Sequence, residues 1–540
     1  MKNKSIFLFF LLALLFVNGF TQPGVLPIKS GNSTLFGQDV VINEHAAQNQ
    51  RNITICSAYN GWLYAAYSYY DPAALQDAVT ILRSKDNGTT WSVFLDGNSG
   101  LYHSSIAGLD MIACGHDSAN IKVFVSFCIF DTITSNQFIL VVRYNGNTGV
   151  AEGELLHENS VSVRDLAFAS DNQYPATNSN PFSIALVYTK QFITDSVVFC
   201  SSSDGGLTFD QHHSIATSPH YLGKVSLSYG RSPAFNTGRY FAAWEEKDNA
   251  NAVTGHIYTA HSEPNFNSPF TTPLQIDSIE ASSFNKVRNP TIVCQQNETD
   301  NDSLNLTEVV LFEKYIPSEN RYGIGGFYNM KSTNTNHFKQ FTVTSSSDNL
   351  QMPSITFDPY NSKFLVTYYD STTQKLPFLV NNFNLTTPDN WQIMNVGYNE
   401  SNSLDNPFPK IAVNFGLNQA IMAWSKKGAG DNGVALFDAP YNNWLSFPEE
   451  IKTGNLRNLI VHPNPSRLNA TMTFDLNKTE LVTISLFNID GRYIKTIANQ
   501  QFETGMHQFK FDVSALPPNI YFYTFKSSDI STCGKIVVIR

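Results

Sequence analysis

Through most of the chain the hydrophobic positions recur as a unit, in which an apolar strand and a short polar turn are followed by a second strand rich in aromatic residues. The unit appears as NITICSAYNGWLYAAYSYYD from Asn52, LDMIACGHDSANIKVFVSFCIFD from Leu109, VRDLAFASDNQYPATNSNPFSIALVYTK from Val163 and LSYGRSPAFNTGRYFAAWEEK from Leu227. It returns as NPTIVCQQ with its partner TEVVLFEKY from Asn289, as MPSITFDPYNSKFLVTYYD from Met352 and as FPKIAVNFGLNQAIMAWSKK from Phe408. These seven copies lie about 54 to 64 residues apart. A repeat of that length has room for four short strands, which is one blade of a β-propeller. The pattern therefore predicts an all-β chain whose residues 36–447 form a propeller of about seven four-stranded blades. Closing such a ring requires the first and last blades to share a sheet, and the segment Phe36 to Ile42 is placed to add an outer strand to the seventh blade.

After the last aromatic stretch, Asn443-Trp444-Leu445-Ser446-Phe447, the composition turns polar, and residues 448–457 read as a linker. From there period-two alternation resumes in MTFDL and VTISLFNIDG, is broken by turn glycines at Gly491 and Gly505, and ends in Lys535-Ile536-Val537-Val538. That pattern predicts a small antiparallel sandwich over 458–540, immunoglobulin-like in outline. At the other end, Met1-Lys2-Asn3-Lys4 followed by an apolar run from Ile6 to Phe20 reads as a signal peptide, residues 1–22, too short for a comfortable membrane span. Beyond it no run of apolar residues is long enough to predict a transmembrane segment in the mature chain.

The tail closely resembles the type A sorting domain of the type IX secretion system of Bacteroidetes. The residues that carry the resemblance are Pro463-Asn464-Pro465, the turn ending at Gly491, Gly505 before a strand, Ile520-Tyr521, and Lys535 before the final Val-Val. His462 stands where the family more often has Tyr. Asn519 replaces a Gly before Ile-Tyr, and Asn is expected there because it tolerates a left-handed backbone. The resemblance implies export through the type IX secretion machinery to the outer cell surface or the medium.

Composition narrows the function classes. Charged residues make up only 15% of the chain against roughly 25% in an average globular protein. The formal net charge of -10 provides no basic stripe, so nucleic acid is not an expected partner. The histidines are scattered, the six cysteines lack CxxC spacing, and no phosphate loop or nucleophile elbow is present, so neither a metal nor another cofactor is expected. Cys56 and Cys114 occupy similar places in neighbouring repeats, where they could pair or remain buried thiols.

Two repeats carry a further signature. Ser84-Lys85-Asp86-Asn87-Gly88-Thr89-Thr90-Trp91 and Ser202-Ser203-Asp204-Gly205-Gly206-Leu207-Thr208-Phe209 both fit Ser-x-Asp-x-Gly-x-Thr-aromatic. In that spacing Asp accepts hydrogen bonds across a tight turn, Gly supplies a positive φ and the aromatic ring tucks under the hairpin. The motif resembles the Asp box, or BNR repeat, of sialidase-like propellers, where its role is structural.

The sialidase-like resemblance implies a test for enzymatic activity. Such enzymes hold a carboxylate with three converging arginines and use a Tyr, a Glu and an Asp, while other glycosidases need two facing carboxylates. The candidates here are Arg231 and Arg288, which begin Arg-Ser-Pro and Arg-Asn-Pro, with Asp110 and Asp165 at inner-strand entries. Arg51 and Arg164 lie near inner-strand entries as well, and the Glu245-Glu246 pair follows an aromatic second strand. The sequence thus favours a non-catalytic propeller that recognises an extracellular glycan or protein, with a sialidase-like glycoside hydrolase as the alternative.

Overall fold

The computed structural model describes residues 39–439 and 456–539, except for the segments 43–49, 99–103, 116–119, 134, 136, 159–161, 172–181, 192–193, 210, 232–237, 263–269, 279–285, 296–306, 330–337, 344–346, 360–362, 382–391, 396–406, 416–418, 428–432, 465, 477, 488–492 and 528–530. The signal-peptide reading, most of the linker, Pro465 and Gly491 lie outside the described residues. Backbone contacts divide the chain into two compact units, 1–441 and 442–540.

In the first unit the described residues form seven four-stranded antiparallel sheets. Six are simple meanders in sequence order. Their inner strands are Arg51–Ser57, Ser104–Cys114, Ser162–Ser170, Tyr221–Gly230, Val287–Cys294 and Leu350–Asp358. The seventh is built from Lys410–Asn414, Gln419–Lys427 and Gly433–Asp438, and its outer strand is Val40–Val41 from the start of the ring. Val40 pairs with Phe437 and Val41 with Leu436, so the N-terminal segment closes the circle. Each inner strand packs against the inner strand of the next sheet, and the seventh packs against the first, which makes the unit a seven-bladed β-propeller.

The aromatic second strands explain why the blades stack. Each is buried on both faces, as the run of buried residues from Leu63 to Tyr69 shows. One face of a blade packs on the preceding blade and the other on the next: Ile53 and Ile55 join Ile421 and Phe437, while Cys56 and Tyr64 join Ile121 and Val123. Trp244 and Trp424, at equivalent points of blades 4 and 7, are both buried.

The two Ser-x-Asp-x-Gly turns join the third and fourth strands of blades 1 and 3. Ser84 Oγ donates to Asp86 Oδ1 at 2.8 Å, Thr90 Oγ1 donates to Asp86 Oδ2 at 2.6 Å, and the Gly88 N–H donates to Ser84 Oγ at 2.7 Å. Asp204 repeats the pattern with Ser202 and Thr208, at 2.6 and 2.7 Å. Desolvation opposes ionisation, but the hydrogen bonds from Ser202, Thr208 and Leu207 outweigh it and hold Asp204 down to about 2. Both turns face the preceding blade. A Cβ on Gly88 (φ +88) would lie 2.2 Å from Phe437 of blade 7, and one on Gly206 (φ +73) would lie 2.3 Å from Phe124 of blade 2. Trp91 packs edge-on against Phe437 with ring centroids 5.0 Å apart.

The second unit is a β-sandwich. A three-stranded sheet, Leu456–His462, Asn469–Leu476 and Gly505–Asp512, faces a four-stranded one ordered Tyr493–Phe502, Glu480–Phe487, Asn519–Lys526 and Ser531–Val538. Met472, Phe474, Ile484, Leu486, Phe525 and Ile536 fill the space between them. The first strand starts at Leu456, two residues inside the expected linker. Asn464 Oδ1 accepts the Val537 N–H at 2.8 Å and ties the start of the sandwich to its last strand, while the Tyr521 hydroxyl donates to the Pro517 carbonyl at 2.8 Å. Gly505 takes a φ of +120 in open space, and Lys535 pairs with Phe522. Asn519 departs from expectation: it is an exposed strand residue paired with Val538 and has no positive φ, because the strand begins at this position and no turn precedes Ile520 directly.

Two outcomes follow from this packing. Gly206→Ala should lower the thermal midpoint by several degrees, a cost of about 1–3 kcal/mol from the positive φ and the Phe124 overlap combined; a midpoint equal to the parent's would show that the turn does not lock blade 3 to blade 2. Glu308, buried at the start of a strand in blade 5 and hydrogen-bonded by Thr259 Oγ1 at 2.9 Å, is pushed up by burial to about 8. Its raised pKa stabilises the fold fully below the unfolded value near 4.5, and that contribution is lost as pH rises toward 8. Thermal melts from pH 4 to 9 should therefore show Glu308→Gln gaining on the parent as pH rises, and parallel curves would contradict the assignment.

Candidate functional site

All seven inner strands line a central cavity of about 430 Å³. The inner strands run side by side in one direction: Ser226 Oγ accepts the Ile292 N–H and Ser228 Oγ accepts the Cys294 N–H, 3.1 and 2.9 Å away. Their first residues therefore share one mouth, the entry mouth, and their last residues share the other.

The entry mouth holds most of the charged candidates, and each is already engaged. Arg51 Nη2 meets Asp77 Oδ1 at 2.5 Å, and Asp77 Oδ2 accepts the Ile106 N–H of blade 2 at 2.6 Å. Arg164 is paired with Asp195, whose other contact is the Leu222 N–H of blade 4 at 2.9 Å. Arg288 Nε meets Glu313 Oε2 at 2.7 Å, and Glu313 Oε1 accepts the Met352 N–H of blade 6 at 2.9 Å. The same arrangement therefore appears in blades 1, 3 and 5, with an arginine neutralising a carboxylate that also binds the backbone of the next blade. Arg164 and Arg288 stack on Tyr221 and Tyr322, each 3.9 Å from the ring centre. None of the three arginines is among the residues lining the cavity.

Asp110 and Asp165 do line the cavity. Asp110 Oδ2 accepts the Phe168 N–H of blade 3 at 2.9 Å, and Oδ1 accepts the Thr54 hydroxyl at 3.3 Å. Burial raises its pKa, while the charge on Lys410 and these hydrogen bonds act in the opposite direction. Asp165 Oδ2 accepts the Val225 N–H at 2.9 Å, and Oδ1 pairs with Lys224 Nζ at 2.8 Å. Glu245 is spread over three donors, the N–H groups of Lys224 and Asn289 at 3.2 and 2.8 Å and Lys247 Nζ at 2.8 Å. Glu246 accepts from the Ser218 hydroxyl at 2.8 Å.

Arg231 is elsewhere. It follows the last residue of its inner strand, whereas Arg288 is the second residue of the neighbouring one, so the two Arg-x-Pro segments lie at opposite mouths. Ser232 and Pro233 lie outside the described residues. The charged neighbour of Arg231 is Asp171, which burial lifts to about 7 against hydrogen bonds from Ser183 and the arginine's charge.

Around the entry mouth the exposed groups are of another kind. Phe408 is 52% exposed and Tyr70 is 44% exposed. Asn52, Asn289, Met352 and Phe408, at the entries of four inner strands, all adopt positive φ values between 44 and 55. Left-handed residues beside a strand bulge turn the backbone polar groups toward the mouth. The spacing of these residues before each apolar run was visible in the sequence, but the bulge was not. Cys56 and Cys114 are free buried thiols, as are Cys128, Cys200 and Cys294. Among the described residues no group of three or more His, Cys, Asp or Glu side chains is placed to hold a metal ion.

No curated protein matches the chain. Among solved structures it is similar to a polysaccharide lyase described as an ulvan lyase, with 10% identity and a TM-score of 0.43 over 76% of this chain and 96% of that one. An α-L-arabinofuranosidase from Fusarium graminearum gives 11% identity and a TM-score of 0.42 over 75% and 98%. The NanB sialidase from Streptococcus pneumoniae gives 12% identity and a TM-score of 0.37 over 78% and 71%. No helix among the described residues is long and apolar enough to cross a membrane. Residues 460–539 match the secretion system C-terminal sorting domain, and this type IX tail marks the chain for export to the cell surface or the medium.

Proposed function

We propose that the exported propeller recognises an extracellular glycan or protein at its entry mouth and does not turn it over. Residues 1–22 are the cleaved signal, 36–447 the binding propeller with its two Asp boxes as structural turns, 448–457 the linker, and 458–540 the part handled by the type IX secretion machinery. The observation that carries the reading is the engagement of the charged groups. Arg51, Arg164 and Arg288 are each neutralised within their own blade, and the carboxylates that pair with them each hold a backbone N–H of the next blade. Asp110 and Asp165 are tied to blades 3 and 4 in the same way. A sialidase-like hydrolase needs arginines free to converge on a substrate carboxylate and carboxyl groups free to move protons. Freeing these groups would break contacts between blades. What the mouth offers instead is exposed aromatic surface at Phe408 and Tyr70 with the side-chain oxygens of Asn52 and Asn289, whose Nδ2 groups are held by Ser68, Ile106 and Glu313, a set suited to sugar faces and hydroxyls or to a protein loop.

The test is a glycan-array assay on the full secreted chain, run beside a fluorogenic sialoside and a panel of aryl glycosides. Saturable binding without turnover is the expected result, and Phe408→Ala should weaken it about tenfold. Turnover that is abolished by Arg288→Ala or Arg231→Ala would replace this reading with the hydrolase. Silence on the array together with capture of a surface protein would assign the mouth to a protein ligand.

A further inference from the structure

Where adjacent inner strands meet around the channel, side chains at one level of four strands reach the neighbouring blade. Thr54 in blade 1 reaches Asp110 in blade 2, and Asp110 reaches the Phe168 N–H in blade 3. Ser226 in blade 4 accepts the Ile292 N–H at 3.1 Å, and Ser354 in blade 6 accepts the Ile411 N–H at 3.1 Å. The hydrogen-bonding partners place Thr54, Asp110, Ser226 and Ser354 at one level of the channel. At that level blade 7 contributes Lys410, the residue immediately before Ile411. An ammonium group is a donor only, so Lys410 cannot accept a backbone N–H there as Ser226 and Ser354 do. Lys410 is exposed, lines the cavity and makes no salt bridge within 4.0 Å to a described residue. Lys224, the other lysine on the cavity wall, is paired with Asp165.

We propose that Lys410 is the anion-binding residue of the channel and that the ligand at the entry mouth is an acidic glycan whose sugar carboxylate it holds. The inference rests on the recognition reading and narrows it to a ligand class. Ser354 and Thr54 flank the lysine on the neighbouring blades. The Ser354 oxygen already accepts a backbone N–H, which leaves its proton to donate toward the channel. The charge on Lys410 acts on Asp110, but the two form no salt bridge within 4.0 Å, and the Asp110 oxygens accept from Thr54 and Phe168. The remaining lone pairs of those oxygens can accept a sugar hydroxyl. A cavity of about 430 Å³ is in the range that small ligands fill.

The experiment compares the full chain and its Lys410→Met and Lys410→Arg variants against paired oligosaccharides, one member bearing uronic acid and the other its neutral counterpart, with sulfated counterparts as a second source of negative charge. The expected result is tighter binding of the uronic acid member, weakened by high salt. Lys410→Met should lose about tenfold in affinity for it with no change for the neutral member, and Lys410→Arg should keep the preference. Thermal midpoints equal to the parent's would show that the variants fold. Binding of neutral sugars as tightly as acidic ones, or a Lys410→Met variant unchanged toward uronic acid, would overturn this inference and leave the recognition reading standing. Preference for the sulfated member alone would overturn the carboxylate assignment. Binding of no oligosaccharide at all would remove the glycan reading and this inference together.

Discussion

The open edge of the inner strands is the constraint on which the rest of the propeller depends. Each inner strand is hydrogen-bonded to its second strand on one side only, so backbone N–H groups along the other side point at the channel or at the neighbouring blade. Leaving such a group buried and unpaired costs about 1–3 kcal/mol. The molecule answers with side-chain acceptors supplied by the preceding blade: Asp77 for Ile106, Asp110 for Phe168, Asp165 and Asp195 for blade 4, Glu245, Ser226 and Ser228 for blade 5, Glu313 for Met352, and Ser354 for Ile411. One set of bonds thus satisfies the backbone, fixes the angle between blades and engages six acidic residues around the channel, Asp77, Asp110, Asp165, Asp195, Glu245 and Glu313.

This accounting changes how buried charge in the channel should be read. Burial alone pushes a carboxyl group toward its neutral form, as it does at Asp77 and Asp110. Several donors per carboxylate, backbone N–H and arginine or lysine together, work in the opposite direction and keep the group useful as an acceptor. Arginines 51, 164 and 288 belong to that system. Their pairing within one blade, with the stacking of Arg164 and Arg288 on tyrosines, makes them supports for a staple between blades, which explains why arginines at repeated positions need not form a substrate clamp.

Much of the fold was legible in the sequence because it is written in periodicity. The alternation of an apolar strand, a polar turn and an aromatic strand located all seven blades, since a strand buried on both faces must be apolar at nearly every position, as in Leu63–Tyr69. The closing strand was legible for a related reason: Val40 and Val41 precede the first repeat and have no partner there. The site was less legible. Asp110 and Asp165 could be placed at inner-strand entries, but which atom accepts from which N–H depends on a register between blades about 58 to 60 residues apart in the chain. The opposite placement of Arg231 and Arg288 was hidden for the same reason. Both stand two residues before a proline, yet one follows the end of an inner strand and the other is second in one.

The seam where the ring closes is built differently from the other six. Its outer strand has only two residues, Val40 and Val41, and its contacts to blade 1 run partly backward: Ser57 Oγ of blade 1 accepts the Phe415 N–H of blade 7 at 3.2 Å, and Asn414 Nδ2 reaches Asn87 Oδ1 at 3.1 Å. Trp91 and Gly88, packed on Phe437, hold the same seam from the outside. At the channel level of Ser226 and Ser354, blade 3 has Ala167 and blade 7 has Lys410, so neither supplies an acceptor to the next blade, and Lys410 adds there an exposed cation that has no salt bridge to a described residue.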